Sequence, residues 1–236
     1  MNSRHSKEPL ATRYWLSRAL WLFAALAAVG ITLYFAIPYL TSNPRVSRTP
    51  LNQAFPLHFV YVTLHGVPAG LALLLGPVQF IPAIRTRYPA AHRLISNVCL
   101  VFISIGIIMG VIAASVSTSG LAAPFGFLLL AAAWFYSGLL AYRAARQHQS
   151  ALYRVWMIRN YAFTFAAVLL WVLLVVGLQV MTVNQVLTFD DVYTTSVWSS
   201  ILVSYLVAEW FIVQRTLGPL AQKSAQAAES SHVNQA

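Results

Sequence analysis

Apolar residues in this chain gather into six long stretches, separated by short segments that collect prolines and charges. A helix rising 1.5 Å per residue needs about 20 mostly apolar residues to cross a bilayer. Stretches of that kind occupy approximately 14–40, 58–84, 94–116, 121–142, 155–181 and 193–215. The pattern predicts an all-α, polytopic transmembrane bundle of six spans. Arg13 and Arg18 precede an alanine-rich segment, as in a signal peptide, with Ala25–Ala28 as the alternative cleavage region. The apolar run exceeds the 7–15 residues of a signal core, so 14–40 reads as an uncleaved signal anchor behind a cytoplasmic segment 1–13. The longest internal segment between spans, 41–57, holds Pro44, Pro50 and Pro56 and is too short for a soluble catalytic domain. Residues 221–236, rich in Ala, Gln and Ser, are expected to be disordered.

Charge changes the picture from a list of spans to an oriented one. Only 8% of residues are charged, against roughly 25% in an ordinary soluble domain, which excludes a soluble enzyme. The net charge of +10 does not mark a nucleic-acid face, because the cations stand at the ends of apolar runs. All the basic residues except Arg45 and Arg48 fall before or in the first two turns of span 1, between spans 2 and 3, between spans 4 and 5 or in the first two turns of span 5, or at and beyond the end of span 6. The positive-inside rule then places both termini in the cytoplasm and the chain in a bacterial inner, or plasma, membrane as a multi-pass protein. The lone cysteine, Cys99, excludes an internal disulfide and any CxxC motif.

Polar groups at membrane depth need partners inside the protein, so each is a candidate for function or for helix-to-helix glue. On span 2, His58, His65, Ala72 and Gln79 recur every seven residues and share one face, beside Gly66, Gly70 and Gly76. Pro68 and Pro77 each remove a backbone donor and are expected to kink this helix. Span 3 opens with His92 and Arg93 and continues His92, Ser96, Cys99, Ile103, Gly106, Gly110 on one stripe. Span 5 begins with Arg154, Trp156, Arg159, Asn160 and Tyr161, with Thr164 one turn beyond Asn160. Span 6 carries Glu209, the only acid within any span, for which Arg159 is the first partner and Arg93 the second. His92, Arg93, Arg159, Asn160 and Glu209 are therefore expected to form a polar cluster near the cytoplasmic leaflet, with His65 and Gln79 facing the bundle interior.

The succession His65-Gly66, Gly76-Pro77-Val78-Gln79-Phe80, Arg85, His92-Arg93, Gly126-Phe127, Trp134, Tyr142-Arg143, Trp156-Met157-Ile158-Arg159-Asn160-Tyr161, Tyr193, Trp198-Ser199 and Glu209 is a recognisable order. It resembles the bacterial membrane-protein family catalogued as domain of unknown function 2306, over about 58–215. The resemblance implies a five-helix membrane domain behind the anchor and attaches no activity, substrate or cofactor. Two positions depart from the family pattern: Tyr153 stands where a histidine precedes Arg-x-Trp-Met, and Trp171 where an arginine follows the Ala-Ala-Val stretch.

Three classes of function stay open on these residues. A small-solute or proton binding or transport protein would use the interrupted span 2 with Arg159, Asn160 and Glu209. A haem-binding, cytochrome-like electron carrier would need axial histidines at one depth on two helices, which leaves His92 with His148. A non-catalytic membrane subunit, or a homodimer, would use the polar groups for assembly with partner helices. No Ser-His-Asp set, HExxH motif or phosphate loop is present, and no metal site is expected. The lipid bilayer is the expected surrounding.

Overall fold

The computed structural model describes residues 8–184 and 186–213, with the side chains of 8–18 and of Leu20 set aside. The amino-terminal residues 1–7 and the tail at 221–236 lie outside the described residues. Within them the fold is entirely helical: α1 (Glu8–Leu40), a 3-10 turn (Pro44–Val46), α2 (His58–Gln79), α3 (Pro82–Arg87), α4 (Pro89–Ser115), α5 (Ala122–Arg146), α6 (Ser150–Val183) and α7 (Phe189–Ile212). Six of the helices are long and apolar enough to cross a membrane, as the hydrophobic pattern predicts. The additional helix, α3, comes from the end of the second apolar stretch. Pro82 has no N–H to extend α2, so the backbone turns extended at Ile81 and a new helix starts with proline at its first position. Helix α2 itself runs unbroken through Pro68.

Short connections follow from specific caps. His148 takes a left-handed backbone (φ 57°) between α5 and α6, and the turn closes with the Gln149 N–H donating to the Ala144 carbonyl at 2.9 Å. Before α7, Thr188 and Asp191 form a reciprocal capping box: the Asp191 N–H donates to Thr188 Oγ1 and the Thr188 N–H to Asp191 Oδ2. Thr188→Ala is expected to cost about 1 kcal/mol, read as a lowered thermal midpoint. An unchanged midpoint would show that the cap contributes nothing.

The proline-rich connection from α1 to α2 is pinned rather than loose. The Tyr39 hydroxyl accepts the Arg48 N–H at 3.2 Å. Asn52 donates its side-chain amide to the Val116 carbonyl at 2.8 Å and its backbone N–H to Nδ1 of His58 at 2.8 Å.

Helices α2, α4, α5 and α6 close a ring, since α2 packs along α4, α4 on α5, α5 on α6, and α2 also meets α6. Helix α1 seals the α2–α6 side and α7 the α5–α6 side. Small residues set these approaches. A methyl group at Gly76 would fall within the ring of Tyr161, and one at Gly110 would meet the ring of His65. Core residues sit at the helix junctions: Ala72, Cys99, Ile103 and Trp134 between α2, α4 and α5; Leu170, Leu174, Val192 and Val197 between α6 and α7. Large apolar side chains such as Phe23, Val101, Val175 and Leu206 stay exposed on the outside, where a membrane-spanning bundle meets lipid.

Candidate functional site

The stripe on α2 shares one face, as its seven-residue spacing predicts, and that face meets α4: His58, Ala72 and Gln79 are buried. His65 reaches across to α4, where its Nδ1 lies 2.7 Å from the Gly106 carbonyl oxygen. A carbonyl only accepts, so Nδ1 carries the proton and Nε2 carries the lone pair. No described residue bonds Nε2. Gly106 and Gly110, one turn apart on α4, supply the acceptor and the space for the ring.

His65 lines a cavity of about 260 Å³ between six helices. Its walls are largely aromatic and aliphatic, including Phe35, Phe127, Trp134, Phe163 and Trp171, and among the described residues none that lines it is charged. Thr49, Pro50, Ser117 and Ser119 place one end of it at the proline-rich connection. Most polar groups around it are already engaged. Thr32 donates to the Gly70 carbonyl, Ser200 to Val197, and Thr164 accepts the Trp134 indole N–H at 2.9 Å while donating to Asn160. Trp171, one of the two departures from the family pattern, stacks on Phe35 with ring centroids 3.7 Å apart and makes this wall apolar.

Gln79, His92, Arg93, Arg159, Asn160 and Glu209 do not line the cavity, and those with described hydrogen bonds have separate partners. Gln79, on α2, bonds Ser96 on α4 at 3.2 Å, and Ser96 in turn accepts the hydroxyl of Tyr153 from α6 at 3.3 Å. Gln79 Nε2 and His92 Nδ1 are buried there without a described partner. Asn160 points to α5, donating to the Trp134 carbonyl at 3.0 Å and to Ser137 Oγ at 3.1 Å. Arg159 points to α7 and forms a two-bond fork with Glu209, Nε to Oε1 at 2.5 Å and Nη2 to Oε2 at 3.0 Å, with its guanidinium 4.6 Å above the Trp156 ring. Arg93 is exposed, as is His148 in its turn, while His92 stands on the inward stripe beside Ser96.

The physical reason for the division is helical phase. Consecutive residues on a helix diverge by about 100°, so Arg159 and Asn160 address different neighbours, as do His92 and Arg93. Two participants were missed from sequence, Tyr153 and Trp134. Each sits four residues or a near-multiple from other inward residues of its helix, a signal that periodicity carries weakly when the residue is aromatic. Among the described residues, no three His, Cys, Asp or Glu side chains come together to hold a metal ion.

No curated protein and no solved structure shows significant similarity to the chain. A family model described as a predicted membrane protein matches residues 62–212, well over half the length and nearly all of the bundle after α1. That span contains the His65–Gly106 contact, the Gln79–Ser96–Tyr153 chain and the Arg159–Glu209 fork, and the chain accordingly belongs to the family of predicted membrane proteins designated domain of unknown function 2306.

Proposed function

We propose that this protein binds a small neutral solute inside the membrane, in the cavity between the six long helices, with His65 as its polar anchor. One observation carries the reading: a half-buried imidazole whose Nδ1 is committed to Gly106 and whose Nε2 has no described partner, at the wall of an apolar cavity. Concave apolar walls with a few unspent polar groups are the usual form of a small-molecule site. Neutrality follows from the lining, because a charged solute would lose its hydration without gaining a counter-charge. Passage of a solute or proton through a joined cluster of Arg159, Asn160 and Glu209 has less support, since these side chains are spent on separate neighbours. The distribution of cations supports placing the Arg85 and Arg154 end of the bundle in the cytoplasm of a bacterial inner membrane.

Ala131→Phe tests the reading. Ala131 lines the cavity, so the added ring enters open space and should avoid the usual cost of overpacking. The thermal midpoint is expected to move by less than about 3 °C. Protein extracted directly into polymer-bounded lipid discs should retain a neutral small molecule near one per chain, seen by mass spectrometry of the organic extract. The Ala131→Phe protein should lack it. Equal retention by both proteins, or none by either, overturns the proposal.

A further inference from the structure

Resting on that reading of the cavity, we infer that the solute is a planar aromatic alcohol of the hydroquinone class, bound by its hydroxyl to Nε2 of His65 and stacked among the aromatic walls. The polarity of the anchor decides the first half. Because the Gly106 carbonyl holds the proton on Nδ1, Nε2 is an acceptor, and a neutral ligand satisfies it by presenting an O–H or N–H donor. A ketone or an ether offers no donor and leaves the imidazole nitrogen buried against apolar surface, which is costly.

The walls decide the second half. Phe35 and Trp171 stack at 3.7 Å on the α1–α6 side, and Trp134, Phe163 and Phe127 complete an aromatic lining. Flat rings gain from offset stacking and edge contacts beyond the area they bury. A branched aliphatic alcohol meets the same walls without that gain. Tyr193 lines the same cavity and its hydroxyl bonds no described residue, so a ring carrying two hydroxyls has a second polar side chain on the wall.

A metal porphyrin is the competing occupant, because an imidazole with Nδ1 donating to a backbone carbonyl and Nε2 open is also how metal-bound histidines are held. Its carboxylates disfavour it here: among the described residues no arginine or lysine lines the cavity to balance them. His58, the other histidine on the wall, stands on the same helix as His65, with its Nδ1 already accepting the Asn52 N–H.

Binding of three probes to the full chain in lipid discs, followed by quenching of tryptophan fluorescence, separates these outcomes. The probes are tetramethylhydroquinone, its dimethyl ether, and farnesol, which keeps a hydroxyl but has no ring. Tetramethylhydroquinone is expected to bind the wild type, with about tenfold weaker binding by His65→Ala and by the dimethyl ether. Farnesol should bind at least tenfold more weakly than the hydroquinone, and Ala131→Phe should abolish binding of all three. If the three probes bind equally and Ala131→Phe removes them, the cavity site stands and the hydroquinone assignment falls. If none binds, or Ala131→Phe changes nothing, the cavity reading itself falls. Added haem that gives a Soret band lost in His65→Ala would overturn the assignment in favour of a porphyrin.

Discussion

Glu209→Gln is expected to lower stability by about 2 kcal/mol, with most of the loss recovered in the double variant Arg159→Leu/Glu209→Leu. Removing one member of a buried ion pair leaves the other charge uncompensated, typically at 3–5 kcal/mol, whereas replacing both with apolar residues is often neutral. The side chains of Arg159 and Glu209 keep 22% and 26% of their exposure, and arginine can extend its head toward the interface, which brings the expectation below the fully buried range. Trp156 holds the guanidinium over its ring, so Arg159 is not free to swing wholly away when its partner is lost. The measurement is a double-mutant cycle on Arg159→Leu and Glu209→Leu, read by thermal or denaturant unfolding in one detergent. A coupling below about 0.5 kcal/mol would show that the fork is incidental to the α6–α7 contact.

The second large effect comes from a glycine. Gly76→Ala is expected to destabilise the bundle by about 2 kcal/mol, although alanine is the better helix former by roughly 1 kcal/mol. The new methyl group would fall inside the ring of Tyr161. That ring is held from three sides: its hydroxyl donates to the Leu73 carbonyl at 3.3 Å, and it meets Phe80 and Phe165 at centroid distances of 5.5 and 6.2 Å. Relief therefore requires α2 and α6 to separate. Gly30→Ala, where nothing lies within 4 Å of the added carbon, is the matched control and should be neutral or stabilising. Thermal midpoints decide it. If Gly76→Ala is as stable as Gly30→Ala, or if Tyr161→Ala fails to relieve Gly76→Ala, the close approach does not limit the packing of these helices.

Much of the architecture is legible in the chain, and particular residues show why. The α2 stripe of His58, His65, Ala72 and Gln79 and the α4 stripe of Ser96, Cys99, Ile103 and Gly106 each lie on one helix face as their spacing predicts, and the structure sets the two against one another. Charge alone identified the partner of Glu209, because an acid in a span has few cations within reach. Within the expected polar cluster, Arg159 bonds Glu209 while Asn160 bonds α5, since residues adjacent in sequence leave a helix in different directions. The break at Pro82 was hidden within a stretch whose hydropathy continues past it, and periodicity does not register a missing N–H. Tyr153 and Trp134 entered the polar networks through one hydroxyl and one indole N–H, on side chains that otherwise read as apolar packing.

The sequence by itself determined the six spans and the sorting of cations to one end. Hydrocarbon acts on each segment separately: a crossing helix must be apolar over its own length and satisfy its own backbone. Only the tertiary structure decided which polar groups are spent and which are left over. His65 finds its carbonyl 41 residues away, Asn160 its acceptors 26 and 23 residues away, and Arg159 its carboxylate 50 residues away. Those pairings depend on which helices become neighbours and at what rotation. The same choice forms the cavity and places His65 on its wall with Nδ1 committed to Gly106, a residue that in sequence differs little from His58 one stripe position earlier.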